Sequence, residues 1–182
     1  MTREGPGHPT VVAQIARIVA FLNGIGIPTA EAALSEDTVL PAMTVRDGVI
    51  IYDPARLERP GDLLHEGGHI AVTDPALRAT AGDFGMDSTA QGDEMAAIAW
   101  SWAAAIAAGL DPRVAFHPDA YRGEGAWLQE TFAQGNYIGL PMLRVVIDCQ
   151  RLPLSTTHIP LTSTCIRSAV AASAAQSPRC AL

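Results

Sequence analysis

The chain contains no lysine: all twelve of its basic residues are arginine. This excludes Schiff-base chemistry, which needs an amine nucleophile, and phosphate cradles of the Walker type, which need a lysine ammonium. Positive charge is also scarce, since nineteen acids outweigh the arginines and leave a formal charge of −7. That balance argues against a nucleic-acid partner, because phosphate binding requires clustered cations. Cysteine is limited to Cys149, Cys165 and Cys180, an odd number, widely spaced and confined to the C-terminal part. The pattern fits neither a disulfide framework nor a CxxC metal knuckle, and it reads as free thiols in a reducing compartment. Long apolar runs are missing too. The longest apolar helix candidate, residues 95–108, falls short of the roughly 20 residues that a bilayer span requires. The first residues show no basic segment leading into an apolar one. A cytoplasmic protein without membrane or nucleic-acid partners is therefore expected.

What the chain does have is alanine, and apolar residues at 48% with aromatics at only 5%, which points to small-residue helix packing. A length of 182 residues suits one domain with its own core. We expect that domain over residues 1–149, followed by a Ser/Thr/Ala-rich tail over 150–182 that is poorly ordered. The charge changes at the same place, since the acids stop at Asp148 while Arg151, Arg167 and Arg179 follow.

Thr10 is a suitable N-cap for a helix to about Asn23, with Val11, Ile15, Ile18, Val19 and Leu22 on its buried face. A short helix is expected over 30–34. The period then changes: Val45 and the run from Val49 to Tyr52 flank Asp47-Gly48, a dipeptide that favours a hairpin turn. Asp62 reads as the N-cap of a helix over 63–73, stopped by Asp74-Pro75. A short helix over 76–81 and a polar loop over 82–92 come next. Residues 93–108 form a helix that is apolar on nearly every side and so belongs in the middle of the fold. Residues 125–134 make a further helix, and the apolar stretch 136–149 is interrupted by Pro141. Trp100, Trp102 and Trp127 read as core. The pattern as a whole implies an α+β, mostly helical fold, with a small hairpin or sheet against two central helices.

His65-Glu66-Gly67-Gly68-His69 carries the chemistry. Two imidazoles four residues apart project from one face of a helix, a spacing that suits a tetrahedral zinc ion. Glu66 is one position round from the first ligand, where it can reach a zinc-activated water without binding the metal. A catalytic zinc needs a third protein ligand and an open position. His117 and His158 are available, but Glu94 in the first turn of the apolar helix is the better candidate. Asp93 beside it is a cap.

HEGGH followed by Glu94-Met95-Ala96-Ala97 resembles the gluzincin zinc metallopeptidases, in which two histidines and a downstream glutamate bind zinc. The small residues around the motif also resemble the compact repressor-cleaving metallopeptidases of the ImmA/IrrE type. The resemblance covers about residues 43–108 and implies a zincin-like fold. It departs at Ile98, where larger gluzincins carry an aspartate that orients a ligand; Asp74, Asp83 or Asp87 would have to serve instead. The implied activity is that of a zinc-dependent hydrolase cleaving a peptide or protein substrate, with Glu66 as general base. His117 or Tyr121 is the candidate donor to the oxyanion. A metal-stabilised binding or regulatory module without turnover is the alternative. Gly67 and Gly68 disfavour a helix interior, and close approach of Ala97 and Ser101 is the natural reason for them, a contact that would carry Glu94 to the metal.

Overall fold

The computed structural model describes residues 10–38, 40–82 and 91–151. Among them are five α-helices and one three-stranded mixed sheet. In chain order these are α1 Val11–Gly24, β1 Thr29–Glu31, β2 Met43–Arg46, β3 Val49–Tyr52, α2 Gly61–Val72, α3 Gln91–Ala107, α4 Gly125–Ala133 and α5 Leu140–Arg151. The fold is α+β, with helices in the majority.

Thr10 starts α1 as expected, its Oγ1 accepting the Ala13 N–H at 3.3 Å. Ile15, Ile18 and Leu22 form the buried stripe. Val11, also expected there, is exposed, because burial begins only at Ile15. After α1 the Asn23 side chain grips Thr29 twice, donating to its Oγ1 at 2.8 Å and accepting its N–H at 3.0 Å. That grip helps to explain why residues 30–34 do not form the helix expected of them. Held extended, Thr29–Glu31 pairs in parallel with β3, from Thr29 opposite Ile50 to Glu31 opposite Tyr52. Ladder bonds of this kind override weak local helix preference.

The hairpin forms as its turn dipeptide requires, with Asp47 at φ 50° and Gly48 at φ 73°. β2 pairs antiparallel with β3, from Met43 opposite Tyr52 to Arg46 opposite Val49, giving the strand order β1-β3-β2. Met43, Val45, Ile50 and Tyr52 are buried parts of the core.

α2 begins at Gly61, earlier than expected, with Pro60 in the cap position, so Asp62 lies inside the first turn and is not the cap. An acid there still gains from the helix dipole. At the other end Arg78 donates to Ala71 O at 2.7 Å and Thr73 O at 3.1 Å, satisfying carbonyls that the helix leaves open. Arg78–Thr80 is a single 3-10 turn where a short helix was expected.

α2 and α3 cross in close contact. A Cβ on Gly68 would stand 2.9 Å from Ala97 O and 3.1 Å from Ala97 Cα, and one on Gly67 would meet the Leu22 side chain at 2.7 Å. Ser101 Oγ lies 2.7 Å from Ala97 O and 3.3 Å from Leu64 O, joining the two helices on the same side. The contact inferred from the glycines forms at Gly68, Ala97 and Ser101, whereas Gly67 faces the side chains of Leu22 and Trp100.

Trp100 and Trp102 are core residues, whereas Trp127 is 56% exposed. Pro141 does not interrupt its segment. It sits in the first turn of α5, where the N–H it lacks would have had no partner. α5 runs past the expected boundary at 149 to Arg151; the rest of the expected tail, 152–182, and most of the 82–92 loop lie outside the described residues. Among the described residues no helix is long and apolar enough to cross a membrane.

Candidate metal centre

His65 and His69 occupy successive turns of α2, and their Nε2 atoms lie 3.1 Å apart. The rings meet edge to face, with centroids 4.6 Å apart. Glu94, in the first turn of α3, closes the group: Oε2 is 3.1 Å from His69 Nε2 and Oε1 is 3.6 Å from His65 Nε2. One potential ligand atom from each residue falls within 4.8 Å of the others, so the three could hold a metal ion. Two imidazole lone pairs and a carboxylate turned on one another need a proton or a metal cation between them. The Glu94 side chain is 42% exposed, which leaves the group open to solvent on the α3 side.

The surroundings set the charge states. Burial, reinforced by neighbouring His69, pushes the His65 imidazole down to about 4, although the Glu94 carboxylate pulls the other way. His65 is therefore neutral at physiological pH, as a ligand must be. Burial works against ionisation of Glu94, but its bond to His69 and the fields of both histidines prevail and hold its carboxyl below the usual range. Glu66 is buried at 6% exposure, and its charge is felt at the Tyr121 phenol together with those of Glu94 and Asp62.

Tyr121 comes to the site from a 3-10 turn 56 residues downstream of His65. Its hydroxyl is 3.2 Å from His65 Nδ1, the ring nitrogen on the other side from the Nε2 atom that meets His69 and Glu94. Burial pushes its phenol well above the usual range, so the group stays protonated. His117 lies close enough to Asp62 for its charge to be felt there. Its Nδ1 accepts the Asp119 N–H at 3.2 Å and lies 3.8 Å from the Asp119 carboxylate. Of the two candidate oxyanion donors, the structure thus brings one against a ligand histidine and turns the other towards Asp119.

Asp74, one candidate for orienting a ligand, instead accepts the Ala76 N–H at 2.9 Å in the turn after α2. Asp83 and Asp87 lie outside the described residues. Ile98, the position of the departure noted above, is buried in the core. His158 is likewise outside the described residues. The residue that the sequence reading passed over is Asp62. Burial raises its carboxyl to about 6, against the opposing fields of Arg59 and His117. Its spacing three residues before His65 and four before Glu66 placed it on the motif's side of α2, but the residue was read as a cap.

No family model matches the chain, and no curated protein or solved structure matches it either.

Proposed function

We propose that the protein is a small zinc-dependent hydrolase, a metallopeptidase of zincin-like fold, with His65, His69 and Glu94 as zinc ligands. The observation that carries the reading is the convergence of three donors beside a buried carboxylate that is not among them. Zinc bonded to two imidazoles at roughly 2.0–2.1 Å in a tetrahedral shell separates the nitrogens by about 3.3 Å. The 3.1 Å between the two Nε2 atoms fits that requirement without rearrangement of α2. Mixed nitrogen and oxygen donors are also those that zinc accepts.

When bound, zinc supplies Lewis-acid polarisation of a carbonyl and makes water acidic near neutral pH. Glu66, next to His65 on α2, takes up the proton of the attacking water at its carboxylate and returns it to the leaving nitrogen. His65, His69 and Glu94 would hold the ion, and the partly exposed Glu94 side would leave room for substrate.

The test is Glu66→Gln, which keeps size and hydrogen-bonding reach but removes the base. Zinc should remain at wild-type stoichiometry while hydrolysis of a mixed-sequence fluorogenic peptide set falls by up to about 10⁴-fold. Retention of most of the activity would overturn the mechanism. A wild type that holds zinc and cleaves nothing would favour a metal-stabilised binding module.

A further inference from the structure

We infer that Tyr121 is a positioning residue for the metal centre: its hydroxyl oxygen accepts the Nδ1–H of His65, fixing the tautomer that leaves Nε2 bare for the metal. The inference rests on the metal-site reading above and adds a role for a residue outside the ligand set.

A neutral imidazole carries one N–H, and a ring that binds metal through Nε2 carries it on Nδ1. The His65 side chain is only 16% exposed, so that N–H needs an acceptor close by. The Tyr121 hydroxyl stands 3.2 Å from Nδ1. The same contact fixes the ring's rotation, because a rotated imidazole would lose either the hydroxyl or the His69–Glu94 convergence.

The tyrosine is itself held between two rings. Its ring stands edge-on to His65, centroids 5.5 Å apart at 88°, and edge-on to Phe116, 5.5 Å apart at 85°. Phe116 stacks on Trp102 at 5.7 Å and meets Phe132 at 5.1 Å, so the support for Tyr121 runs into the aromatic core. The backbone is committed as well: Tyr121 at φ 55° and Arg122 at φ 58° are two consecutive non-glycine residues in the left-handed region, followed by Gly123 at φ 89°. Such a conformation persists only where the surroundings over-determine it, and it occurs preferentially at functional sites. An oxyanion donor would have to present its hydroxyl on the Nε2 side of His65, whereas this hydroxyl is engaged at Nδ1.

The experiment compares wild type with Tyr121→Phe, which keeps the ring contacts and loses only the hydroxyl. Zinc affinity is read by competition with a chromogenic chelator, ligand geometry by the visible bands of the cobalt(II)-substituted protein, and fold by thermal unfolding without metal. Loss of a hydrogen bond to a ligand should weaken zinc binding about 10- to 100-fold and shift the cobalt bands, with metal-free unfolding unchanged. Equal affinity and identical bands in the two proteins would overturn the inference, and a fall in turnover alone would return Tyr121 to the oxyanion role. Wild type that binds neither metal would overturn the site itself, a separate result. A measurement that needs no variant is nitrogen-15 NMR of the zinc-loaded wild type: a proton on His65 Nδ1 supports the assignment and a proton on Nε2 refutes it.

Discussion

Two neighbouring groups on α2 are pushed in opposite directions by the same burial, His65 down to about 4 and Asp62 up to about 6. In metal-free protein their effects on stability oppose each other. As pH falls from about 6.5 towards 4, the unfolded chain protonates at His65 while the native chain does not, so stability is lost. Over nearly the same window, from about 6 towards 3.8, the native chain takes up a proton at Asp62 that the unfolded chain does not, so stability is gained. Asp62→Asn removes the second effect alone. In chelator-treated protein, urea unfolding of this variant between pH 6.5 and 4.5 should lose about 2 kcal/mol more than wild type. Equal slopes in the two proteins would mean that Asp62 is not held in a raised state. At this scale the sequence was legible where chemistry is local. The i, i+4 histidines, Glu66 between them and Glu94 at a helix start are all where a reading of spacing put them. The Tyr121 contact was not legible as it stands, because it depends on a left-handed turn 56 residues away that composition does not announce.

Among the elements, the crossing of α2 and α3 decides whether Glu94 reaches the histidines. Gly68 is the point of closest approach to Ala97. Gly68→Ala gains about 1 kcal/mol of helix propensity. It also forces a methyl into backbone that cannot yield, an overpacking cost of about 1–3 kcal/mol. We predict a net loss of stability together with weaker zinc binding, because separating the helices moves Glu94. Gly24→Ala, at the end of α1, is the control: a Cβ there meets nothing within 4 Å, so stability should hold or rise slightly and zinc binding should not change. Unaltered stability and affinity in Gly68→Ala would show that the crossing is not tight. The glycine pair, the Asp47-Gly48 turn and the apolar α3 helix were each readable because their signals are strong and short-range. The strand Thr29–Glu31 was not: its three residues carry no alternation, and it exists through pairing with β3 and the grip of Asn23. Pro141 was misread for a related reason, since its effect depends on where the helix starts.

For the molecule as a whole, the α+β class followed from a hairpin placed ahead of two apolar helices, and the order of the strands did not, because a parallel partner for β3 left no mark in the sequence. What the assembly achieves is to bring residues 65, 69, 94 and 121, from α2, α3 and a distant turn, to one place. That convergence is the basis of every functional statement above, and it stands or falls on the metal. Elemental analysis of protein purified without added metal, beside His65→Ala prepared identically, tests it most directly. We predict about one zinc per chain in the wild type and close to none in the variant. Folded wild-type protein without a stoichiometric transition metal, or a variant that retains the wild-type amount, would contradict the account.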